Sequence, residues 1–469
     1  MPRSALRSTV AVTLTYEDGT VRIDPEGDGP DRDAVEGADL DAVDGVTFDS
    51  RTETYRSPAF RYRELRAALD ERGVEYDDRV LSAPGIDGLE SSYELRAYQR
   101  EALDDWLDAG RRGVLEMPTG SGKTVVAIAA IERLATPTLV VVPTIDLLEQ
   151  WRRELEIEFG DVVEVGQFGG GEQRRAPVTV STYDSAYLKA DDVGDAFGFV
   201  VFDEAHHLGG EGYREIARLL AAPDRMGLTA TFERPDGAHD VIADLIGPLV
   251  HAVDADELAG EHLAPYDVKR IEVSLTPEER EAYEEHQGTF TDYLARSNVE
   301  LRSGSDYQEL VKRSGNDPAA REALLAKQRA REIMMGGEAK IDALETILDR
   351  HRDDRIIVFT AFNDLAYDVA ERFLLPAITH RTPAAERREI LDRFRDGRYS
   401  RVVTSNVLDE GIDVPDANVA VVLSGSGSER EFTQRLGRIL RPKSDGGRAL
   451  LYEVVSGETA EERVARRRR

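Results

Sequence analysis

An α/β fold of two tandem units, each a parallel sheet with helices on both faces, is what this sequence of 469 residues predicts. Three observations carry it. From Leu95 onward, short apolar runs alternate with amphipathic helical stretches: Gly113–Leu115, Thr138–Val142, Val178–Ser181, Phe199–Phe202 and Arg225–Leu228. A second such series follows at Arg355–Thr360, Ala377–Thr379, Arg401–Thr404, Val419–Leu423 and Ala449–Val454. Fully apolar strands separated by helices mean a parallel sheet covered on both sides. Third, a glycine-rich loop joins the first apolar run of the first series to the helix after it. At roughly 100–200 residues per domain, the length allows two to four domains.

Ahead of these units, residues 1–85 read as a small separate α+β module. Val10, Val12, Leu14 and Tyr16 share a strand face, Asp18-Gly19 marks a turn, and Val21 and Ile23 return. Residues 24–49 hold ten acids and one arginine, the composition of a solvated loop. A short helix then places Tyr62, Leu65 and Leu69 on one face and stops at Gly73. The first α/β unit is expected over residues 86–262 and the second over 263–458, with 459–469 as a basic tail ending in Arg466–Arg469. Such a tail suits nucleic acid or a partner as readily as a solvated end. Within the second unit, Thr276-Pro277-Glu278-Glu279 is a capping box that opens an inserted helical hairpin, about 277–336. That hairpin is expected to break around Ser303–Asp306 and Ser314–Pro318 and to stop at Gly336-Gly337.

Composition narrows the function. Cysteine is absent, which excludes a disulfide scaffold and a thiolate nucleophile. No apolar run of about 18 residues suggests a membrane span, and the first residues carry no signal-peptide core. A cytoplasmic protein without a membrane partner is the expectation. The net charge of −31 alone disfavours a polyanionic partner. Yet of the 60 basic residues only seven are lysine and 53 are arginine. Few lysines beside many acids suit a protein that stays soluble in molar salt, a halophile-like composition. At about 1 M salt the Debye length is ~3 Å, so net repulsion fades beyond contact. A shallow salt dependence of binding and activity above about 1 M salt are then expected.

The chemistry sits on a few motifs. Met117-Pro118-Thr119-Gly120-Ser121-Gly122-Lys123-Thr124 follows a strand and opens a helix, the context a P-loop requires. Gly120 and Gly122 let the backbone N–H groups around Ser121 approach phosphate. Lys123 supplies a point charge, Thr124 a hydroxyl to Mg²⁺, and the helix N-terminus a favourable dipole. Position 117 is methionine where the general pattern has glycine. Asp203-Glu204-Ala205-His206 ends the run Phe199–Phe202. Asp203 is placed to hold Mg²⁺ through water, and Glu204 to orient and deprotonate the attacking water. His207 reads as ordinary packing or surface. Arg438 and Arg441 lie three apart on one helix face and suit an arginine-finger role.

In this order the motifs resemble superfamily 2 helicases and translocases over nearly all of the chain after residue 90. That resemblance implies two RecA-like domains with ATP and Mg²⁺ between them. Leu95-Arg96-Ala97-Tyr98-Gln99 looks like the adenine-recognition segment, with Arg96 and Gln99 on the base. Val142-Pro143-Thr144 and Ser181-Thr182-Tyr183 look like strand-tracking motifs, so Pro143, Thr144 and Thr182 would touch nucleic acid. Thr229-Ala230-Thr231 looks like the segment coupling ATP to DNA, alongside His206. Thr404-Ser405-Asn406 through Asp409-Glu410-Gly411-Ile412-Asp413 is similar to the second domain's motif, with Thr404 and Ser405 on the strand and Gly411 and Asp413 on nucleotide. Gln434 to Arg441 is similar to the arginine-finger helix, Gln434 serving coupling.

Within that superfamily the chain most resembles the XPB (xeroderma pigmentosum group B) helicases in their shorter archaeal form. The phrases Pro376 to Thr382, Val407 to Asn418 and Ser424 to Ser428 carry this, and Thr382 joins the expected DNA contacts. The resemblance implies an N-terminal damage-recognition domain at 1–85 and a helical thumb at about 277–336. It further implies 3′-to-5′ polarity, single-stranded or forked DNA as partner, and a role in repair or transcription with a nuclease or other repair or transcription partner. The family's Arg-Glu-Asp duplex-opening element here reads Arg234-Pro235-Asp236, and proline fixes φ and removes a donor. Two readings compete: an RNA helicase or restriction-system motor, and a DNA-binding scaffold in which ATP only sets affinity.

Overall fold

A computed structural model of the chain describes residues 12–25, 40, 43–82, 84–118, 120–210, 212–233, 237–253, 266–297, 304–405, 417–424, 449–459 and 461. The chain divides into two compact units, Met1–Glu257 and Leu258–Arg469.

The first unit opens with a five-stranded sheet of β1 (Val12–Glu17), β2 (Thr20–Pro25), β3 (Thr47–Asp49), β4 (Thr54–Pro58) and β5 (Tyr76–Arg79), in the order β3-β4-β2-β1-β5. The β1–β2 hairpin turns at Asp18 and Gly19, whose φ values of 46° and 73° are the left-handed pair a tight hairpin needs. Val12, Leu14, Val21 and Ile23 point to one face and are fully buried against Tyr62, Leu65 and Leu69 of the helix Tyr62–Glu71. The module has its own sheet and core and also docks on the rest of the unit. Ala221 enters its core, Tyr16 donates to Leu219 O at 2.9 Å, and Arg112 donates to Phe60 O at 3.2 Å and Glu64 at 2.8 Å. Polar docking of this kind leaves no hydrophobic signature in sequence.

The rest of the unit is an eight-stranded sheet: β6 (Arg112–Glu116), β7 (Thr138–Val142), β8 (Val165–Gly169), β9 (Glu172–Arg174), β10 (Val178–Thr182), β11 (Phe199–Asp203), β12 (Asp224–Thr229) and β13 (Leu249–Ala252). Its order is β13-β6-β12-β11-β7-β10-β8-β9. All pairings are parallel except the β8–β9 hairpin. Five of these strands match the predicted apolar runs. β8, β9 and β13 were not predicted, because Gly166, Gln167 and Gly169 interrupt one and the others are short edges. Two apolar clusters cover the two faces, one around Trp106, Ile128 and Trp151, the other around Phe197, Phe202 and Leu245. Arg225 sits within the predicted run Arg225–Leu228 and is wholly buried. Its guanidinium donates to Ala222 O, Ala217 O, Leu245 O and Leu220 O at 3.0, 2.9, 2.7 and 2.6 Å. A buried cation is tolerated there because its donors are satisfied.

The second unit has a six-stranded parallel sheet: β14 (Tyr266–Val273), β15 (Ile356–Phe359), β16 (Ala377–Ile378), β17 (Arg401–Thr404), β18 (Val419–Val422) and β19 (Ala449–Ser456), ordered β14-β19-β18-β15-β17-β16. β14 was not predicted; Asp267, Lys269, Arg270 and Glu272 give it a charged edge. Between β14 and β15 the described residues of the insertion form three helices, Pro277–Ser297, Gly304–Arg313 and Pro318–Gly336, the last two separated at the expected break Ser314–Pro318. Ser303–Asp306 is not a break throughout: the middle helix begins at Gly304 and buries Leu310 against Phe290, Ala320 and Ala323. The capping box forms as predicted, with Thr276 N donating to Glu279 Oε2 at 2.9 Å and Glu279 N to Thr276 Oγ1 at 3.2 Å. The expected boundary after residue 262 lies outside the described residues. Among those residues no helix is long and apolar enough to cross a membrane.

Candidate functional site

The P-loop forms where β6 hands over to the helix Lys123–Leu134. Val126, Ala127, Ile128, Ala130 and Ile131 bury that helix against the sheet, so its N-terminus is fixed. Gly120 and Gly122 have φ of 81° and 83°, and a Cβ at Gly122 would stand 2.4 Å from Gln99 Nε2. The left-handed conformation therefore calls for glycine at 122, and a Cβ there would push the Gln99 amide off Ser121 O. Ser121 donates through N and Oγ to Pro118 O at 3.2 and 2.6 Å, tightening the loop. Thr124 lies in the first turn of the helix.

β11 ends in Asp203, beside the P-loop strand's neighbour β12. Asp203 is 6% exposed. Its Oδ2 accepts from Trp151 Nε1 at 2.8 Å and its Oδ1 from Glu204 N at 3.0 Å. Tyr183 OH donates to Asp203 O at 3.1 Å. Burial, with the charges of Asp203 and Glu204 adding, pushes the Tyr183 phenol well above its ordinary range. Sequence reasoning missed Trp151 and Tyr183. The available signal was a tryptophan at an apolar helix position, whose N–H must find an acceptor once buried.

Glu204 has φ of 48°, the left-handed region that a non-glycine residue occupies at a cost of about 1–2 kcal/mol. There its Oε1 lies 3.7 Å from Lys123 Nζ, and Lys123 is itself 6% exposed. Glu204 Oε2 lies 3.6 Å from His206 Nδ1, which is 3.4 Å from Thr229 Oγ1. Thr229 ends β12, donates to Thr231 O at 2.8 Å and accepts from Thr231 N at 3.2 Å. Met117 N donates to Thr229 O at 3.0 Å, so the coupling segment is also tied to the start of the P-loop. Lys123, Glu204, His206 and Thr229, named from three sequence motifs, thus form one contiguous line. His207 stacks between His206 and Tyr183, with centroids 4.6 and 5.5 Å away.

The expected adenine segment also reaches the loop. Gln99 Oε1 accepts from Arg96 N at 2.9 Å and its Nε2 donates to Ser121 O at 2.7 Å, joined there by Tyr98 OH at 2.6 Å. Gln99 is buried and Arg96 exposed. Gln99 therefore acts as a tether to the P-loop, leaving one N–H and one lone pair for a base.

The expected strand-tracking residues of this unit end two adjacent parallel strands. Pro143 and Thr144 follow β7, and Thr182 closes β10. Thr144 Oγ1 accepts from Leu147 N and Thr182 Oγ1 from Ser185 N, each at 3.2 Å, so both cap helices. In the second unit, Thr404 ends β17 and Ser405 follows it. Thr404 Oγ1 donates to Ser405 O at 2.7 Å, and Ser405 Oγ to Asn363 Oδ1 at 2.7 Å. Thr382 Oγ1 accepts from Thr379 N at 2.9 Å. Gly411, Asp413, Gln434, Arg438 and Arg441, and the element Arg234-Pro235-Asp236, lie outside the described residues.

A phosphate loop and a strand-end Asp-Glu pair on a parallel sheet define a P-loop nucleotide hydrolase. Comparison with known proteins narrows that class. Residues 14–80 match the xeroderma pigmentosum group B helicase damage recognition domain. Residues 92–234 match the type III restriction enzyme, res subunit, and 321–469 the ERCC3/RAD25/XPB C-terminal helicase. A protein of Sulfurisphaera tokodaii named DNA 3'-5' translocase XPB2 is 42% identical over 426 residues, 90% of this chain and 95% of that one. The DNA 3'-5' helicase XPB of Mycobacterium tuberculosis is 32% identical over 391 residues, 81% of this chain but only 64% of that one. The crystal structure of the Pyrococcus furiosus Hef helicase domain shares the fold, with a TM-score of 0.52 and 19% identity over 80% of this chain and 98% of that one. The chain belongs to the XPB family of helicases.

Proposed function

We propose that the chain hydrolyses ATP to move along DNA with 3′-to-5′ polarity, opening or remodelling duplex in repair or transcription. The observation that carries it is the line from Lys123 through Glu204 and His206 to Thr229, which joins a hydrolytic site to a coupling segment. The names of the relatives, translocase and helicase on DNA, support the same reading.

The residues present fit a triphosphate. The left-handed Gly120 and Gly122 open the backbone of the loop, and the helix N-terminus behind them favours negative charge. Lys123, almost wholly buried, sets a cation against the β- and γ-phosphates where low dielectric strengthens it. A hydroxyl from Thr124 and a carboxylate from Asp203, whose two oxygens are oriented by Trp151 and Glu204 N, form the donor set that Mg²⁺ takes beside phosphate oxygens. When bound, Mg²⁺ would neutralise charge that develops on the phosphates. Glu204 serves as the base that takes the proton of the attacking water. His206, touching both Glu204 and Thr229, reports the state of that carboxylate to the strand end beyond.

DNA contact falls to Pro143, Thr144, Thr182, Thr382, Thr404 and Ser405. All lie at or just beyond the C-terminal ends of parallel strands, or in the loops that follow them. Hydroxyls and helix N-termini read phosphate rather than sequence. Arg438 and Arg441 supply the charge that stabilises the transferring phosphoryl group, and Gln434, Gly411 and Asp413 the remaining nucleotide contacts.

ATP turnover measured with matched DNA and RNA oligonucleotides tests the substrate. Stimulation by DNA is expected, and stimulation by RNA alone would replace this reading with an RNA helicase. Turnover without strand release from a fork, and without displacement of a bound protein, would favour the scaffold.

A further inference from the structure

His380 lies in the loop after β16, between the buried Thr379 and Thr382, and is itself exposed. Asn363, first residue of the helix Asn363–Phe373, stands between two loops. Its Oδ1 accepts from Ser405 Oγ at 2.7 Å, and its Nδ2 lies 2.6 Å from His380 Nδ1. Because β15, β17 and β16 are parallel neighbours, the loops bearing Asn363, Ser405 and His380 emerge at one edge of the sheet.

The chemistry of that pair is directional. An amide Nδ2 can only donate, so in the amide orientation that turns Oδ1 to the Ser405 hydroxyl the nitrogen it faces accepts. His380 Nδ1 then carries no proton, and the neutral ring carries its proton on Nε2, at the opposite edge. The loop is braced for that orientation: Thr379 N donates to Thr382 Oγ1 at 2.9 Å, and the Tyr367 hydroxyl lies 2.8 Å from Thr379 Oγ1.

We infer that Asn363 holds His380 as the Nε2–H tautomer, and that this N–H donates to a backbone phosphate of the tracked DNA strand beside Thr382 and Ser405. His380 is a DNA-contacting residue and Asn363 its positioning residue. The inference rests on the DNA-translocase reading above. It adds an uncharged donor to the track, which holds phosphate without releasing a counterion and so keeps its strength as salt rises.

The test uses the full-length protein, a fluorescein-labelled oligodeoxythymidylate read by anisotropy, and the DNA concentration that half-saturates ATP turnover. Loss of one neutral hydrogen bond corresponds to about a 3- to 10-fold weakening. H380L is expected to show it, with the loss falling on half-saturating DNA rather than on turnover at saturation. The slope of log affinity against log salt should stay as in wild type. H380Q, whose side-chain amide can replace the Nε2–H, should return within about twofold, and N363L should weaken binding as H380L does. Imidazole ¹⁵N spectra, with the His380 signal identified by its absence in H380Q, should show the Nε2–H pattern in wild type and lose it in N363L. An Nδ1–H pattern, unchanged affinity in H380L, or a salt slope shallower by about 0.7, the mark of a lost cation on single strands, would overturn the inference. Absence of any DNA-stimulated turnover in wild type would overturn the translocase reading itself. Normal stimulation with an unaltered H380L would remove only the role of His380.

Discussion

His206 Nδ1 stands 3.4 Å from Thr229 Oγ1 and 3.6 Å from Glu204 Oε2, so one imidazole touches both the carboxylate of the hydrolytic site and the end of β12. If that ring carries the coupling, H206A should separate two activities. ATP turnover at saturating DNA is expected to stay within about threefold, while translocation, read by displacement of a roadblock, falls by at least about tenfold. These are differences of about 0.7 and 1.4 kcal/mol in barrier height. Equal loss of both would show that His206 serves the hydrolysis alone.

A side chain at Gly122 would displace the end of Gln99. G122A places a Cβ on Gln99 Nε2 and forces a left-handed alanine, which costs about 1–2 kcal/mol by conformation alone. The expected result is loss of nucleotide binding with little change in melting temperature. Q99A relieves the clash but removes the tether to Ser121, so the double variant G122A/Q99A should recover only part of the affinity. Nucleotide affinity measured by a fluorescent ATP analogue checks this, and full recovery would mean that the tether contributes nothing.

Arg225 holds four backbone carbonyls in the interior, and R225L removes that donor from each, Leu245 O keeping the one it has from Arg112 at 3.1 Å. Breaking a buried polar arrangement by removing one side costs about 3–5 kcal/mol. Chemical denaturation should show a loss of that size. R225K should not rescue it, since an ammonium at one point cannot reach carbonyls spread around a planar fork.

Alkaline pH should unfold the first unit. Burial is the largest cause raising the phenol pKa values of Tyr16, Tyr62 and Tyr183 above 10.0. In the unfolded chain these groups ionise near pH 10, whereas the folded chain still holds their protons. Stability from this source is therefore fully present below about pH 10 and is lost as pH rises from there through the folded values. Absorbance at 295 nm and far-UV circular dichroism followed together should show these tyrosines ionising only as the fold is lost. Early ionisation of all of them with the fold intact would contradict the burial.

Much of this was legible in the sequence because apolar runs mark parallel strands buried on both faces. β7 and β17 fall where Thr138–Val142 and Arg401–Thr404 placed them. The P-loop and the Asp203-Glu204 pair were legible because their chemistry demands residue types at fixed spacing. What was not legible is what depends on long-range polar pairing. Trp151 belongs to no motif, yet it orients Asp203. Arg225 entered only as the start of an apolar run, yet it fastens the surrounding backbone. Asn363 carried no motif, yet joins Ser405 to His380. β9 has no apolar residue and β14 breaks its apolar residues with Asp267, Lys269, Arg270 and Glu272, and the docking of the N-terminal module combines the Arg112 hydrogen bonds with apolar contacts of Ala221 and Phe60.

The proposed mechanism turns on Glu204 as the base of a DNA-driven ATPase seated on Lys123. The direct measurement is ATP turnover with and without single-stranded DNA in wild type, K123A and E204Q. The prediction is turnover stimulated by DNA in wild type, lost with nucleotide binding in K123A, and reduced by about 10²–10⁴ in E204Q with nucleotide still bound. DNA-stimulated hydrolysis that survives in E204Q or K123A would contradict it.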